Sequence, residues 1–476
     1  MPRSGWTRLA VALLALCAVA TLVEPVVSIG DPVSRNYNEG WNALHADTVM
    51  HGGDLYPEPG APVFNNYPPT SFLVMAVLGA IFGDPLVAGR VVALVSLIVV
   101  VVCVGRIASA IAACRAIGVL AAVLALGLVT VHYDQYVAMN DPQLFGHALQ
   151  FLGLTLFVRR LDDPRARLGS LVLVVLGGTV KHNLVAVPLA LVVWMLWHRR
   201  AQAPRFVSTG VALVAVGVLA MFLAHGSDLF AGVLGHARTF VAYRAANMIA
   251  AWLVPLAPVL GAGLLTVTLG RRDPRVDLLA LVGGIGLLTG AVFAGGGGIN
   301  YNVVYDAVFA ASALAALGVN HLARAVRSAP DTHDAVRAVA SIAVGLTVLL
   351  ALPARLAEDR TELRERPAEL AAARADLAFL ENHPGPIFCS TLALAHWAGR
   401  DFEVDTFNFG QAVRTGARDD EDLVARIVAG EFAVIQFNEW SRRVDLTPDV
   451  LDAIETHYRP ARTSPAHGRF YVPRGS

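Results

Sequence analysis

The chain has 476 residues, of which 55% are hydrophobic and only 16% are charged, and its formal net charge is zero. Soluble domains carry roughly 25% charged residues, so this composition excludes an ordinary soluble protein and indicates a membrane protein. The zero net charge removes any general electrostatic argument for a nucleic-acid partner. The four cysteines show neither a disulfide framework nor a metal-ligand spacing.

Apolar segments that approach the roughly 20 residues needed to cross a bilayer recur along the chain. The first follows Arg3 and Arg8 and is longer than the apolar part of a signal peptide, so we interpret it as a helix that stays in the membrane. Hydropathy predicts eleven transmembrane helices in all. They lie at about residues 9–29, 87–105, 116–131, 143–158, 168–181, 184–198, 206–224, 249–269, 276–293, 303–320 and 338–353.

Arginine-rich loops alternate between these helices and predict the orientation of the chain. By the positive-inside rule the arginine-rich loops are cytoplasmic, together with the N-terminus. Their arginines are Arg106, Arg115, Arg159, Arg160, Arg165, Arg167, Arg199, Arg200, Arg205, Arg271, Arg272, Arg275, Arg324, Arg327 and Arg337. The short apolar segment 70–82 cannot cross the membrane without breaking this alternation. We therefore predict an interfacial or re-entrant helix there, on the outer face, within a first outer loop of residues 30–86.

An odd number of crossings places everything after residue 353 outside the membrane on the same face as this loop. Residues 354–476 begin with a charged helical stretch and continue with the strand-like segments "PIFCS" and "EFAVIQF" around the helical "DDEDLVARIVAG". The predicted fold is therefore an all-α polytopic membrane module, residues 1–353, with a small extracytoplasmic α/β domain on a helical stem, residues 354–476.

The outer loops hold the polar side chains that the cytoplasmic loops lack. They contain "NYNEGWNALHAD" at residues 36–47, "VHYDQYVAMNDPQ", "VKHN" and "GGGGINYNVVYD". Asn, Tyr, Trp and His with a few carboxylates are typical of sugar-binding sites, since aromatic faces cover the sugar ring and amides bind hydroxyl groups. The pattern therefore indicates a functional site at the outer membrane face.

Two carboxylates stand out near helix starts. Asp141 precedes Pro142, which suits a first helical turn, so Asp141 either caps that helix or takes part in chemistry. Asp306 lies one turn inside an apolar helix, after Asn300 and Asn302. Ionisable groups in membrane segments are costly and usually face a cavity or a partner, which favours a functional role for Asp306.

Lys181 is the only lysine of the chain and lies with His182 and Asn183 in a predicted outer turn between two helices. The positive-inside rule disfavours a cation there, and a lysine can bind phosphate as a point charge. An ordinary polar turn is the competing interpretation. Arg244 is the alternative phosphate partner, although an arginine at this height can also bind lipid head groups without specificity.

A resemblance to a known superfamily appears at this point. An acidic residue shortly after the first transmembrane helix, then "LY" and "NNYPP" before an interfacial helix, then "NDPQ" at the start of a later helix, resembles the GT-C glycosyltransferases. The pattern is similar to the family-39 and family-87 types, which include protein O-mannosyltransferases and lipid A aminoarabinose transferases. The resemblance covers residues 1–350.

The resemblance implies a polyprenyl-phosphate sugar donor and an outer-loop base, which falls on Glu39. It also implies a second acid at Asp141, which in some members helps to hold a divalent metal ion, and a lysine at Lys181 beside the donor phosphate. Asn38 stands where protein mannosyltransferases have a further carboxylate, which counts against a metal requirement and a protein acceptor. The residues expected to bind substrate are Asn38, Tyr67, Asn140, His182, Asn183, Asn300, Asn302 and Asp306.

The sequence thus predicts a glycosyltransferase of the bacterial plasma membrane that moves a sugar to an extracytoplasmic glycan, lipid or protein. In the predicted displacement Glu39 takes the proton of the acceptor hydroxyl, and Lys181, Arg244 or a metal ion at Asp141 meets the charge of the leaving phosphate. A transporter or flippase is the main alternative, but it would place its polar groups near the middle of the membrane. A third hypothesis is a non-catalytic scaffold whose outer tail binds a partner.

Overall fold

The computed structural model describes residues 5–58, 60–269, 273–326 and 330–475. Arg3, Arg271, Arg272 and Arg327, on which part of the predicted orientation rests, lie outside the described residues. The predicted fold class is confirmed, because an all-α membrane module precedes a small four-stranded α/β domain. The chain is therefore a multi-pass membrane protein.

Every apolar segment predicted from hydropathy coincides with helical structure. In chain order the helices up to residue 381 are α1 Trp6–Ala20, α2 Val23–Val27, α3 Tyr37–Met50, α4 Thr70–Phe82, α5 Pro85–Ala112, α6 Arg115–His132, α7 Gln143–Arg159, α8 Pro164–Val180, α9 Ala186–His198, α10 Ala203–His225, α11 Asp228–Gly235, α12 Ala242–Leu269, α13 Pro274–Phe293, α14 Tyr305–Ala325, α15 Pro330–Val344 and α16 Leu346–Glu381. Two short 3₁₀ helices, Asp134–Tyr136 and Tyr301–Val304, precede α7 and α14.

Length separates the membrane helices into two groups. Within the described residues, seven helical stretches are long and apolar enough to cross a membrane, or eight if the pair 332–344 and 346–381, bent by 50°, counts as one span. The helices α7, α8 and α9 have 17, 17 and 13 residues, which is shorter than a full span of roughly 20 residues. Three of the eleven predicted membrane helices are therefore short.

Two predicted helices are broken in the structure. The first, predicted at 9–29, is divided into α1 and α2 by a turn at Thr21 and Leu22. The last, predicted at 338–353, is divided into α15 and α16 at Gly345. Helix α16 then runs without interruption from the apolar segment into the charged stem, so the stem is a continuation of a membrane helix.

Helix α14 forms the centre of the membrane module. In its most apolar stretch 94% of the residues are buried, and it packs against α5, α6, α12 and α13. The helix is rich in alanine, which allows neighbouring helix backbones to approach closely where no hydrophobic effect drives association. The composition of α14 therefore explains its central position.

Residues 30–86, predicted as the first outer loop, contain the two helices α3 and α4. Helix α4 has 13 residues and ends at Gly83, whose φ of 83° gives a left-handed cap. It buries Phe72 and Met75 and exposes Leu73, Val77 and neighbouring apolar side chains. An apolar outer face on a helix too short to span the bilayer supports the predicted interfacial placement.

The tail domain, residues 382–475, carries a small sheet beside five short helices. Its elements are α17 Leu392–Trp397, α18 Thr406–Arg414, α19 Glu421–Val428, α20 Glu439–Val444, α21 Pro448–His457, β1 Ile387–Cys389, β2 Val434–Phe437, β3 Tyr458–Ser464 and β4 Gly468–Pro473. The strand order is β1-β2-β4-β3, with β1 and β2 parallel and the other pairs antiparallel. The two strands predicted from "PIFCS" and "EFAVIQF" are thus β1 and β2.

The tail domain docks onto α3 through α17. A Cβ at Gly40 would lie 2.0 Å from the backbone nitrogen of Ala393, so a side chain at this position of α3 would displace α17. His396 lies between Asp47 and Asp84, with Nε2 at 3.0 Å from Asp84 Oδ1 and Nδ1 hydrogen-bonded to Asp47. Burial lowers the pKa of His396, but the hydrogen bonds and charges of the two carboxylates outweigh burial and raise it to about 9. His396 therefore fastens the tail as a cation.

This arrangement predicts a pH-dependent stability. Because the folded pKa of about 9 exceeds the ordinary 6.5, the stabilisation is complete below pH 6.5 and is lost as the pH rises through 9. The difference corresponds to roughly 3 kcal/mol at most. Thermal unfolding of wild type between pH 6 and 9.5 should show this decline, and His396→Gln should remove it. His383→Gln, on the stem end, is the control, and equal pH slopes in wild type and His396→Gln would contradict the assignment.

Candidate active site

The polar motif "NYNEGWNALHAD" forms the start of α3. Asn36 caps the helix, and its side chain accepts a hydrogen bond from the backbone N–H of Asn38 at 3.2 Å. All eight residues from Glu39 to Ala46 are buried. The motif is therefore packed between the membrane module and the tail domain, and is not an exposed helix on the membrane surface.

Glu39 makes a buried ion pair with Arg90 of α5. Both side chains have 0% exposure, and Arg90 Nε and Nη2 donate to the two carboxylate oxygens at 2.8 and 2.7 Å. The backbone N–H groups of Arg35 and Asn140 donate to the same two oxygens at 2.8 and 3.1 Å. Each oxygen of Glu39 thus already accepts two hydrogen bonds, one of them from a guanidinium group.

Arg90 was not identified from the sequence. It also donates to the backbone carbonyl groups of four residues between α2 and α3, which are Ser28, Ile29, Asp31 and Val33. A single arginine inside the apolar segment of α5 is the signal that could have found it, because a charge in such a segment needs a partner. The partner lies 51 residues away in sequence, so hydropathy does not reveal it.

Asp141 lies in the turn before α7, and its side chain is fully buried. Its Oδ1 accepts hydrogen bonds from Lys181 Nζ at 3.1 Å and from the backbone N–H of Gln143 at 2.8 Å. Its Oδ2 has a single long contact, 3.4 Å, with the side-chain amide of Asn38. Asp141 therefore holds the start of α7 through the backbone N–H of Gln143 and forms an ion pair with Lys181.

Lys181 follows the last residue of α8 and turns inward from the outer end of the helix. Its side chain is 3% exposed, and Nζ lies 4.7 Å from the ring centroid of Tyr67 in a cation–π contact. The structure thus brings together five of the residues singled out from the sequence, Asn38, Tyr67, Asn140, Asp141 and Lys181.

A second cation near Tyr67 is Arg238, in the loop between α11 and α12. Burial raises the pKa of the Tyr67 phenol, whereas the charges of Lys181 and Arg238 lower it. The Arg238 guanidinium carbon lies 4.8 Å from the ring centroid of Phe407 in the tail domain. Arg244, the arginine chosen from the sequence, is exposed and donates to the carbonyl of Ile299 at 2.8 Å. Sequence reasoning thus missed Arg238, which lies six residues before Arg244, in the loop that precedes α12.

Two histidines lie around the same cations. Burial together with the charges of Arg238 and His182 lowers the pKa of His236 to about 4, and burial together with Lys181 lowers the pKa of His182. Both histidines are therefore neutral at neutral pH. The positive charge of this region resides on Lys181 and Arg238, and of these only Lys181 has a carboxylate partner in the described part of the chain.

The remaining residues predicted to bind substrate lie apart from this group. Asn300 caps the 3₁₀ helix before α14 through the backbone N–H of Tyr301 at 2.9 Å. Asn302 is buried and exchanges hydrogen bonds with Gln143 at 3.1 and 3.3 Å. Asp306 is buried, with Oδ1 at 3.5 Å from His147 Nδ1. Asn302 and Asp306 thus contact α7 through Gln143 and His147.

A narrow cleft with a free volume of about 10 Å³, room for about one water molecule, reaches Asp141 from the side of α4 and α5. Asn42, Asn140 and Asp141 give it a polar end, and Phe72, Met75 and Val92 give it an apolar end.

The carboxylates of this region do not form a metal site. Asp141 is paired with Lys181, and no second carboxylate accompanies it. Among the residues that the structure describes, no group of three or more His, Cys, Asp or Glu side chains is placed to hold a metal ion. The residue set around Asp141 therefore does not fit the divalent ion that the sequence left open.

Comparisons with known proteins agree with this architecture. Residues 66–227 match the family model described as dolichyl-phosphate-mannose-protein mannosyltransferase. No curated protein matches the chain. Among solved structures, the chain is similar to ArnT from Cupriavidus metallidurans bound to undecaprenyl phosphate, with a TM-score of 0.63, 12% identity and 98% of both chains covered. The apo state of the same protein gives a TM-score of 0.61, 14% identity and the same coverage.

A second similar structure is the apo form of the Archaeoglobus fulgidus oligosaccharyltransferase. The TM-score is 0.54 at 12% identity, and the match covers 99% of this chain and 75% of the other. Likeness at such identities establishes the fold. The fold implied by the resemblance inferred from the sequence is thus confirmed, and the match with ArnT extends beyond residue 350 into the tail domain.

The Glu39–Arg90 geometry predicts the effect of breaking the pair. Glu39→Gln should lower stability by about 3–5 kcal/mol, because it leaves the charge of Arg90 buried without a partner. Glu39→Gln combined with Arg90→Met should recover part of this loss, which thermal unfolding of the detergent-solubilised protein can measure. The partly exposed pair Glu24–Arg35 provides the control Glu24→Gln, with a smaller loss. A single variant as stable as wild type would contradict the prediction.

Proposed function

We propose that the protein is an integral membrane glycosyltransferase that transfers a sugar from a polyprenyl-phosphate donor to an acceptor at the outer membrane face. The buried Asp141–Lys181 pair beside Tyr67, at the outer ends of α7 and α8, is the observation that carries this proposal. The GT-C fold and the matched family model support it. The proposed orientation has the N-terminus in the cytoplasm and the tail domain outside, in a bacterial plasma membrane.

The donor assignment is supported by chemistry and by likeness. Lys181 and Arg238 offer two cations to one anion, and the similar ArnT structure holds undecaprenyl phosphate. We propose Arg238 in place of Arg244 as the second phosphate ligand.

The proposed reaction is a displacement at the anomeric carbon of the donor sugar. The acceptor oxygen forms a bond to this carbon while the bond to the phosphate oxygen breaks, and the electron pair leaves with the polyprenyl phosphate. The proton of the acceptor hydroxyl passes to a carboxylate of the enzyme. Lys181 and Arg238 stabilise the charge that develops on the phosphate.

The base that we propose is Asp141, because its Oδ2 has one long hydrogen bond and the residue lines the cleft. Glu39, the base predicted from the sequence, has four hydrogen-bond donors on its two oxygens. A carboxylate that is saturated in this way has no free lone pair directed at a substrate. We propose that Glu39 positions the turn that carries Asp141.

A transporter or flippase is the rival function. Its polar groups would lie near the middle of the membrane and line a path across it. Here the paired charges lie at the outer ends of α7 and α8 and in the outer loops. This one-sided placement favours the transferase.

The proposed base is tested by turnover of the purified protein in lipid, with release of polyprenyl phosphate from a panel of polyprenyl-phosphate sugars as the readout. Asp141→Asn should lower kcat by roughly 10²- to 10⁴-fold, as expected for loss of a general base. Asp163→Asn is the matched control, because Asp163 caps α8 by the same contact, to the backbone N–H of Arg165 at 2.9 Å.

The same assay separates Asp141 from Glu39. Folded Glu39→Gln/Arg90→Met protein should retain measurable turnover if Glu39 only positions the turn. A folded but inactive double variant with an active Asp141→Asn variant would return the role of base to Glu39. Absence of turnover in wild type with every donor would contradict the transferase.

A further inference from the structure

The guanidinium group of Arg238 is held by the tail domain and not by an acid. In the described part of the chain it forms no ion pair with a carboxylate, and its buried Nη1 has no hydrogen-bond partner there. The ring centroid of Phe407 lies 4.8 Å from the guanidinium carbon of Arg238. The side chain is half-buried, and burial lowers the pKa of Arg238 while the charge of Asp405, at the start of α18, raises it without forming an ion pair.

Phe407 reaches this position from the first turn of α18. Its ring lies against the glycine-rich loop before α14, where a Cβ at Gly298 would be 2.6 Å from the end of the ring. Gly298 also has a φ of 74°, which disfavours any other residue. The Phe407 ring lies 5.8 Å from that of Tyr37, the first residue of α3. Gly298 thus leaves the space that the Phe407 ring occupies.

The same helix fixes the backbone beside Arg238. Gln411, one turn after Phe407, accepts hydrogen bonds from the backbone N–H and the hydroxyl of Thr239 at 3.1 and 2.8 Å. Asp405 caps α18 and accepts hydrogen bonds from Trp41 Nε1 at 2.8 Å and from the Tyr37 hydroxyl. Helix α18 is therefore fastened to α3 at one end and to the Arg238 loop along its side.

We propose that the tail domain completes the donor phosphate site, with Phe407 as the positioning residue that orients Arg238 towards Tyr67 and Lys181. The proposal rests on the proposed function, in which Arg238 and Lys181 bind the donor phosphate. A planar guanidinium stacked on an aromatic face keeps its in-plane N–H donors free for a phosphate. An ion pair with a carboxylate would occupy those donors, which explains why an aromatic ring holds the cation.

The test compares Phe407→Leu with Phe407→Trp in full-length protein in lipid nanodiscs. Phe407→Leu keeps an apolar side chain and removes the aromatic face, so the Kd for undecaprenyl phosphate and the KM for the donor should rise about 10-fold. The kcat should change less than KM, because Phe407 does not touch the reacting atoms. Phe407→Trp keeps an aromatic face and should restore binding to within about 3-fold of wild type.

A matched control lies in the same helix. Phe409 also stacks on an arginine, since the guanidinium carbon of Arg418 lies 4.3 Å from its ring centroid. Arg418 in turn donates a hydrogen bond to the backbone carbonyl of Ala61. Phe409→Leu removes a similar contact without touching Arg238, so its Kd and KM should equal those of wild type. Thermal unfolding of both leucine variants reports whether the tail domain stays folded.

Arg238→Gln completes a double-mutant cycle. If Phe407 acts through Arg238, Phe407→Leu should weaken undecaprenyl phosphate binding no further once Arg238→Gln is present. Additive losses, or a Phe407→Leu variant that binds like wild type, would overturn the proposal. If Phe407→Leu fails to fold, Arg238→Lys provides the same test, since lysine keeps the charge and loses the planar stacking.

Failure of the inference and failure of the proposed function give different results. Wild type that binds undecaprenyl phosphate and turns over donor, with Phe407→Leu unchanged, would overturn the role of the tail alone. Wild type that neither binds the lipid phosphate nor transfers sugar would overturn both proposals.

Discussion

The buried ion pair between Arg90 and Glu39 is the interaction on which the outer site depends. Removing two charges from water costs several kcal/mol per ion, and an isolated pair seldom repays this cost. Arg90 meets the cost because it also donates to the carbonyl groups of the chain between α2 and α3. The pair therefore fixes α3 against α5, and through the N–H of Asn140 it fixes the turn that carries Asp141.

A polar network inside the helix bundle also fixes the position of Asp141, through Gln143 at the start of α7. The side chain of Gln143 exchanges two hydrogen bonds with Asn302, which assigns the orientation of its amide. The amide nitrogen then donates to His147 Nε2 at 2.9 Å, so the proton of the imidazole lies on Nδ1 and faces Asp306. In the described part of the chain His147 Nδ1 and Asp306 Oδ1 lie 3.5 Å apart and form no hydrogen bond, so the hydrogen-bonded network ends at His147. Asn302 thus acts on the site as a support.

Hydropathy predicted the helices, because helix formation by apolar segments depends on local sequence. The outer location of the polar residues rests on arginine placement and stays a prediction. The breaks at residues 21–22 and at Gly345 were not predicted, since they depend on packing between distant helices. The resemblance directed attention to Asp141 and Lys181, whose side chains meet although 40 residues separate them. It also predicted Glu39 as the base, and the four donors on the Glu39 oxygens are visible only in the structure.

Arg238 and Phe407 lie beyond the reach of local sequence for a further reason. Their contact joins an outer loop of the membrane module to the tail domain, and neither segment carries a motif that marks it. Asp405 joins the tail to α3 in the same way, across more than 360 residues of chain. Contacts between such distant segments form only after both have folded. The contact between Arg238 and Phe407 therefore exists only when the tail domain has docked on the membrane module, which is why we propose the tail domain as part of the site.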